Sequence, residues 1–328
     1  MKKTGRYGSL LFLTLTLCLF ACEKEELPIN KHNRGDIIEN MASMGDDYRY
    51  QLFFDLETNS MVMQNMKTDW DLGFETSAAG YGVILNTAKA MFAANTFETD
   101  FSLITDTVGL VFHWDEASGN MDSTAIGDWT LSNNVFVLDR GYNELGVHLG
   151  LKKVIFQSVN SQEYSFRCAN MDGTNDISYV VPKDDNYNFT FLSLDGISNA
   201  VSIQPPKEDW DISFTQYTHI FYGQGPAMPY LVSGVLINRS GVEVTRIFDK
   251  EFSEITLDDT YNYSFLPDIN AIGYDWKAYD FGTGLYTVFS NQNYIIKSTE
   301  GKYFKLHFTD FYDDSGSKGS PTFEFQEL

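Results

Sequence analysis

Apolar and polar residues alternate along this chain in short runs with a period of two. In residues 303–308 the alternation places Phe304, Leu306 and Phe308 on one face of an extended segment and two polar residues on the other. Such a pattern indicates a half-buried strand. Similar runs, bounded by turn-forming residues, occupy residues 187–194, 232–238, 286–290 and 322–325. Only two segments, residues 37–44 and 87–94, are predicted as short helices. Since the other patterned runs are strands, the chain as a whole is predicted to be an all-β, antiparallel protein.

The strand pattern contains an internal repeat. The run Lys-Thr-Asp-Trp-Asp-Leu-Gly-Phe at residues 67–74 returns as Lys-Glu-Asp-Trp-Asp-Ile-Ser-Phe at residues 207–214. Further matches follow in the same order, joining residues 82–86 to 234–238, 126–129 to 272–276, and 163–166 to the region around 302–305. Collinear matches indicate two copies of one domain. We therefore predict two tandem β domains, residues 47–182 and 183–328, with a boundary in the polar segment near residues 182–186.

One copy of the repeat is longer than the other. The offset is 140 residues at the Trp-Asp pair (210 − 70) and 152 residues at the Gly-Val pair (234 − 82). The second copy therefore contains about twelve additional residues, roughly residues 217–229. An insertion in one copy usually lies in a loop, and loops often carry function. Residues 217–229 are the first candidate region for a binding site.

The N-terminal residues resemble the signal of a bacterial lipoprotein. Lys2, Lys3 and Arg6 precede an apolar run at residues 10–21 that is directly followed by Cys22. The run is too short to span a bilayer and is typical of a secretory signal. The Leu-Phe-Ala-Cys ending implies that Cys22 is acylated, with palmitate among the expected chains. We expect residues 1–21 to be a signal peptide and residues 22–46 to be a lipid-anchored linker.

The residues after Cys22 bear on location. Glu-Lys-Glu-Glu at residues 23–26 is similar to the tag that exports lipoproteins to the outer face of the outer membrane. This favours a lipid-anchored protein that faces the cell exterior, and the alternative is an ordinary solvated linker.

Charge and cysteine content narrow the function classes. The formal net charge is −22, and removal of three basic residues with the signal would make it −25. A nucleic-acid-binding protein would have a basic surface instead. With Cys18 removed and Cys22 acylated, Cys168 is left alone, so no disulfide is expected within the mature chain.

Several segments of the second copy resemble the HmuY family of lipid-anchored, surface-exposed haem-binding proteins from anaerobic bacteria. These segments are residues 210–214, 234–238, 272–281 and the tail 302–328, in which residues 316–325 match the family most closely. The resemblance covers residues 187–328 well and residues 48–182 as a divergent copy. It implies a protein that binds haem, or another small apolar ligand, and supplies it to a TonB-dependent outer-membrane receptor for uptake.

Axial ligands for haem iron are usually His or Met. Because the ligand loops of this family vary, its ligands cannot be transferred by motif. The insertion contains His219 and Met228 as candidate axial ligands, and Tyr217, Phe221 and Tyr222 as candidate pocket aromatics. In a hairpin, facing side chains project from the same face, so the two ligands could flank an iron only if the loop opened around the ring. The alternative is an exposed His and a packing Met.

Other candidates for iron ligation are spread along the chain. They are His307, expected on a solvated strand face, together with His32, His113, His148, Met61, Met63, Met66 and Met91. Residues 229–306 contain neither His nor Met. That gap favours the alternative of a HmuY-fold adhesion or ligand-capture lipoprotein that does not bind haem.

Motifs for catalysis are missing from the sequence. The chain contains no His-Glu-x-x-His, no Gly-x-Ser-x-Gly and no phosphate-binding P-loop. The sequence therefore predicts a binding protein rather than an enzyme.

Overall fold

The computed structural model describes residues 34–195, 200–223 and 225–328, and residues 35–328 form one compact unit. The predicted signal peptide, Cys22, the acidic run that follows it and His32 lie outside the described residues. Within the described part of the chain, no helix has the length and apolar character needed to cross a membrane.

The described residues form twenty strands and no α-helix. In chain order the strands are β1 (Ile38–Met41), β2 (Tyr50–Asp55), β3 (Ser60–Met66), β4 (Leu72–Glu75), β5 (Val83–Leu85), β6 (Phe92–Asn95), β7 (Val135–Asp139), β8 (Leu151–Val159), β9 (Glu163–Asn170), β10 (Ile177–Pro182), β11 (Phe189–Leu192), β12 (Ala200–Val201), β13 (Ile212–Phe221), β14 (Met228–Ile237), β15 (Glu243–Ile247), β16 (Lys277–Asp280), β17 (Leu285–Val288), β18 (Asn293–Lys297), β19 (Tyr303–Tyr312) and β20 (Lys318–Glu327). Short 3-10 helices span Thr87–Lys89, Met121–Ser123, Trp129–Leu131, Phe252–Glu254 and Leu257–Tyr261. The all-β prediction is confirmed.

The alternating runs form strands where the sequence predicts them. In β19 the side chains of Phe304, Leu306 and Phe308 are buried, in agreement with the period of two. The other four predicted runs contain or overlap β11, β14, β17 and β20. The opposite face of β19 is covered as well, because the Lys305 ammonium lies inside and donates to the carbonyl of Phe252.

Both predicted helices are wrong. Residues 37–44 contain β1, which pairs with β20, and Ala42 and Met44 are fully buried beyond it. Residues 87–94 begin with one 3-10 turn capped by the Asn86 side chain. Ala90 then adopts a left-handed conformation with φ of +55°, and the chain continues as β6 against β7. Strand pairing thus overrides the local preference of both Ala-containing segments.

The expected linker also requires correction at its C-terminal end. Residues 38–46 are part of the compact unit, since β1 lies in a sheet and the amide N–H of Met44 donates to the carbonyl of Gly319. The packed structure therefore begins before residue 47.

The strands form two pairs of similar sheets and one ribbon. The five-stranded sheets have the orders β1-β20-β19-β18-β15 and β10-β9-β8-β7-β6. The four-stranded sheets have the orders β14-β13-β2-β3 and β5-β4-β11-β12. β16 and β17 form a separate two-stranded ribbon. Within each pair, the strands occupy the same places in the same order.

The sheets divide the strands into two sets: the first set is β4–β12, and the second set is β1–β3 with β13–β15 and β18–β20. The strands that precede each Trp-Asp pair in the chain therefore belong to the set of the other Trp-Asp pair. β2 pairs with β13 through Phe54 and Ile212, and β11 pairs with β4 through Leu192 and Leu72. β1 likewise completes the sheet of β15–β20, and β10 completes the sheet of β6–β9. The predicted division into residues 47–182 and 183–328 thus remains an interpretation of the sequence repeat, and it does not coincide with the pairing of the strands.

The hydrophobic interior consists of two main clusters. The first, core one, is built from residues between 42 and 56 together with residues between 212 and 325. The second, core two, is built from residues between 72 and 194. Core two therefore comes from one continuous segment, and core one comes from the segments on either side of it.

The sequence repeat has a counterpart in buried hydrogen bonds. The Asn86 side-chain amide donates to the carbonyls of Lys67 and Trp70, both at 2.8 Å. The Asn238 amide donates in the same way to the carbonyls of Lys207 and Trp210, at 2.7 and 2.8 Å. Both Asn residues are fully buried. Each one joins the turn before a Trp-Asp pair to the end of the second strand after that pair, β5 for Asn86 and β14 for Asn238.

One of the four sequence matches is wrong. It related residues 163–166 to the region around 302–305, that is, β9 to β19. In the sheets, however, β8 corresponds to β19 and β9 to β20. Trp129 packs on Phe156 of β8 with centroids 5.2 Å apart, and Trp276 packs on Phe308 of β19 at 4.0 Å. Both strands alternate aromatic and polar residues, so a short local match cannot distinguish neighbours in a sheet.

Candidate functional site

The insertion found in the sequence extends a hairpin. β13 and β14 have ten residues each, whereas their counterparts β4 and β5 have four and three. The additional residues continue the pairing as far as Phe221 and Met228. Most of the expected loop is therefore a two-stranded ribbon, here called the β13–β14 ribbon, with a tip at residues 222–227 of which Gln224 is not described.

Three candidate side chains, those of His219, Phe221 and Met228, lie on one face of this ribbon together with Tyr230. His219 pairs with Tyr230, and Phe221 pairs with Met228. Directly opposed residues in an antiparallel pair project from the same face, as do residues two apart along one strand. His219 and Met228 are consequently diagonal neighbours on the same face. In this arrangement they cannot approach an iron atom from opposite sides.

Tyr274 closes the inner end of that face. Val235 and Gly273 form an antiparallel bridge, in which each backbone N–H donates to the carbonyl of the other, and Gly234 lies next to this bridge. A Cβ atom at Gly234 would lie 2.5 Å from the carbonyl oxygen of Gly273, so the close approach requires Gly. This contact brings the Tyr274 ring to 4.9 Å from the ring of His219.

The imidazole of His219 contacts two aromatic rings, which also lie close to each other with centroids 6.1 Å apart. Its centroid is 4.9 Å from both Phe221 and Tyr274. Its Nδ1 atom is buried and has no hydrogen-bond partner among the described residues. Burial lowers the pKa of His219 and so favours the neutral imidazole, although the carboxylates of Asp275 and Glu116 oppose the shift. The neutral form is the one that binds a metal ion.

The outer part of the ribbon exposes apolar surface. Relative exposures are 37% for Phe221, 56% for Met228 and 55% for Tyr230. Tyr222 is 68% exposed, and its hydroxyl donates to Glu116, which raises the pKa of the phenol. Tyr217 was predicted to be a pocket aromatic, but it is 2% exposed and packs with Ala117 and Val232. Tyr217 supports the ribbon from within and is not available to a surface ligand in this structure.

A second exposed aromatic surface was not predicted from the sequence. The β16–β17 ribbon carries Tyr279 and Leu285 at 43% and 55% exposure, and Phe281 in its turn is 87% exposed. The ring of Tyr286 lies 4.9 Å from Tyr279, and the ammonium of Lys277 in β16 donates to the carbonyl of Ser233 in β14 at 2.7 Å. The two ribbons are thus neighbours. The sequence signal for this surface was the high frequency of Tyr and Phe in residues 274–289. Because aromatic residues in strands are also common in the interior, this frequency does not identify an exposed surface.

Other candidate ligands among the described residues lie elsewhere in the structure. His307 bonds to Glu324 at 2.9 Å and stacks on Phe252 with centroids 4.0 Å apart, which corrects the expectation of a solvated side chain. His148 bonds to Asp139 at 2.7 Å. Met91 is 1% exposed and belongs to core two, whereas Met61 is 37% exposed. None of these residues lies on the β13–β14 ribbon.

The fold and this surface define an all-β protein that presents exposed aromatic side chains on two neighbouring ribbons. The family model described as "HmuY protein" matches residues 47–325. The chain therefore belongs to the HmuY family, and the resemblance seen in its sequence is confirmed. No curated protein matches the chain.

Solved structures with similarity to the chain have low identity. Apo PinO from Porphyromonas gingivitis has 10% identity and a TM-score of 0.27, and the match covers 90% of this chain and 98% of that chain. The apo HmuY analog of Tannerella forsythia has 10% identity and a TM-score of 0.25, with 90% of this chain and 99% of that chain covered. A putative HmuY-like heme-binding protein from Bacteroides vulgatus has 13% identity and a TM-score of 0.24, with 89% of this chain and 94% of that chain covered. Since all three TM-scores are below 0.5, these structures add nothing to the family assignment.

Proposed function

We propose that this chain binds haem, or a related tetrapyrrole, on the aromatic face of the β13–β14 ribbon. The observation that carries the proposal is His219: a neutral imidazole in contact with two aromatic rings, on an exposed apolar ribbon, in a chain of the HmuY family. The heme-binding description of the Bacteroides vulgatus protein supports the same ligand class.

The chemistry of this face suits a porphyrin. Aromatic rings stack in offset fashion on flat apolar ligands, and a neutral imidazole supplies a lone pair to the iron. His219 is the proposed first axial ligand, and Phe221 and Tyr222 are the proposed ring contacts. Met228 becomes a second axial ligand only if the tip residues 222–227 separate the strand ends so that Met228 moves to the other side of the ring.

The cellular context is proposed from the sequence. The lipoprotein signal, acylation of Cys22 and the acidic tag at residues 23–26 together support a lipid-anchored protein on the outer face of the outer membrane. In that position the chain would hold haem for a TonB-dependent receptor, and it would carry no enzymatic activity of its own.

A haemin titration of residues 27–328 tests the proposal. We expect saturable binding with a red-shifted Soret band, and sharp α and β bands on reduction if the iron is six-coordinate. His219→Ala should weaken binding at least tenfold and Met228→Ala should alter the coordination, whereas His148→Ala serves as the matched control and should bind as wild type. Non-saturable binding by wild type contradicts haem binding itself. Wild-type behaviour of both ribbon variants contradicts only the site.

A second function follows from the placement of the ligands. His219 and Met228 share one face, and no His or Met occurs in residues 229–306. These observations favour a surface adhesion or ligand-capture lipoprotein that uses the same aromatic face for a glycan or another apolar partner. Saturable glycan binding without any haem spectrum would support this alternative, and loss of that binding on Phe221→Ala would locate it on the ribbon.

A further inference from the structure

Two buried aspartates occupy equivalent places in the two sets of strands. Asp71 and Asp211 follow the two Trp residues of the repeat, and both are fully buried. The Oδ2 atom of Asp71 accepts the backbone N–H of Leu194 at 2.6 Å, and that of Asp211 accepts the N–H of Leu56 at 2.9 Å. Each carboxylate therefore joins the same two elements of its set: the beginning of a strand after Trp-Asp and the end of an exchanged strand.

The environment of Asp71 contains two cations. The ammonium of Lys89 and the guanidinium of Arg140 both pair with its carboxylate, and both are almost completely buried. Arg140 lies 2.9 Å from Asp71 and 2.7 Å from Asp195, so its guanidinium bridges two carboxylates. A buried carboxylate needs such compensation, because an unpaired charge inside a protein costs several kcal/mol.

The environment of Asp211 keeps the carboxylates and lacks both cations. Glu57 follows Leu56 as Asp195 follows Leu194, so these two acids are equivalent. Ser298 follows β18 as Arg140 follows β7, and Gly241 lies three residues after Asn238 as Lys89 lies three after Asn86. Each cation is thus replaced by a neutral residue.

A third acid, Asp55, lies beside Glu57 and Asp211. Carboxylate oxygens of Asp55, Glu57 and Asp211 lie within 4.8 Å of one another. The neutral partners nearby are Ser298, whose Oγ bonds to Glu57, and Thr299, whose backbone N–H donates to Asp211 at 2.9 Å. Among the described residues, no Lys, Arg or His forms an ion pair with this cluster.

We propose that Asp55, Glu57 and Asp211 bind a calcium ion in the place that the Arg140 guanidinium takes in the other set. The acids alone would not identify a site; the equivalent carboxylates Asp71 and Asp195 do hold a cation, and that cation is what the cluster lacks. Calcium binds oxygen ligands at about 2.3–2.6 Å, so two ligands across one ion can be up to about 5 Å apart. Magnesium, at about 2.0–2.1 Å, requires a tighter set.

Such an ion would join two parts of the chain, the end of β2 and the start of β13. It would therefore stabilise the exchanged strand β2 in its sheet. Because ligand binding to the native state alone raises the melting temperature, the site predicts a stability that depends on calcium.

Calorimetric and thermal titrations of the whole soluble chain after EDTA treatment test this proposal. We expect one calcium ion per chain and a rise in Tm of several degrees at saturation. Glu57→Gln should weaken calcium binding at least tenfold, whereas Asp195→Asn, at the equivalent position of the other set, should leave the calcium response unchanged. Ser298→Arg restores the guanidinium and should abolish the response to calcium while the protein remains folded.

Two results would overturn the proposal. One is a wild-type Tm that does not change with calcium, including the case in which Tm depends only on pH because the acids share a proton. The other is a calcium response that Glu57→Gln retains in full. Since Glu57 is half-buried and Gln has nearly the same shape, this variant is expected to fold and keeps the test decisive if Ser298→Arg does not fold.

Discussion

At the scale of single residues, equivalent positions of the repeat show which contacts a sequence motif predicts. Asn86 and Asn238 have the same sequence context and make the same pair of hydrogen bonds. Asp71 and Asp211 also share their context, yet only Asp71 has cationic partners. Those partners, Lys89 and Arg140, lie 18 and 69 residues after Asp71, outside the matched motifs. The motif residues that both copies share therefore make the same hydrogen bonds, whereas the charges that pair with the Asp come from residues that the copies do not share.

Lys277 is a buried lysine without an acidic hydrogen-bond partner. It is 6% exposed, and its ammonium donates to the carbonyl of Ser233 at 2.7 Å. Burial lowers the pKa of Lys277 to about 7. The faces of Trp276 and Phe311, at 4.1 and 4.5 Å, favour the charged form and oppose part of this shift.

The lowered pKa of Lys277 predicts a pH-dependent stability. Below pH 7 the folded and unfolded states both bind the proton, and the penalty of the buried charge is constant. Between the folded pKa of about 7 and the unfolded value of 10.5 only the unfolded state binds it, so stability rises with pH. Relative to Lys277→Met, the wild-type free energy of unfolding should increase between pH 7 and 9 by at most about 1.4 kcal/mol per pH unit.

Urea denaturation at several pH values measures this difference. Lys297→Met is the matched control, because Lys297 is 36% exposed at its side chain and pairs with Glu243. The difference between wild type and this control should not change between pH 7 and 9. A difference that is equally flat for Lys277→Met would show that the buried ammonium stays charged throughout that range.

At the scale of elements, the period of two located five of the twenty described strands: β11, β14, β17, β19 and β20. Residues 303–308 and 232–238 lie in β19 and β14, where apolar side chains alternate or run continuously. The difference between the two copies also located the β13–β14 ribbon correctly. The sequence could not show that the additional residues continue as strands, because pairing depends on register. Nor could it show that Tyr217 points into the interior while Phe221, four residues later on the same face, is exposed.

The β13–β14 ribbon should be removable without loss of the fold. Its counterparts β4 and β5 have only four and three residues. Core one contains no residue between Phe214 of β13 and Val235 of β14, so the outer part of the ribbon does not contribute to it. We expect a chain in which residues 219–230 are replaced by Asn-Gly, joining Thr218 to Leu231, to unfold within a few degrees of the wild-type Tm. The same chain should lose saturable haemin binding.

Calorimetry and the haemin titration together check this outcome. A matched control replaces the turn of the β16–β17 ribbon, residues 281–284, with the same two residues and should retain the His219-dependent spectrum. Haemin binding that survives removal of residues 219–230 would place the site elsewhere in the chain.

At the scale of the whole molecule, the two cores do not follow the order of the sequence repeat. Trp210 packs edge-on against Phe53 of β2, with centroids 4.9 Å apart, and Trp70 packs in the same way against Phe191 of β11 at 4.6 Å. Each repeated Trp thus contacts a strand from the other copy. The sequence revealed the repeat, and it could not reveal the exchange, since both pairings satisfy the same alternation of apolar residues.

This exchange predicts which fragments fold. Residues 67–205 contain all of core two, the strands β4–β12 and the Trp70–Phe191 contact, so we expect this fragment to unfold cooperatively in urea. Residues 47–182 lack β11 and β12, and residues 183–328 lack β1 and β2 with the Phe54 side chain of core one. Both of these fragments should show weak, non-cooperative transitions.

Residues 206–328 joined by a Gly/Ser linker to residues 35–66 should regain cooperative unfolding, because that chain restores β1 and β2 to their sheets. Cooperative folding of residues 183–328 alone would show instead that the second sequence copy is an independent domain and that β2 contributes little to it.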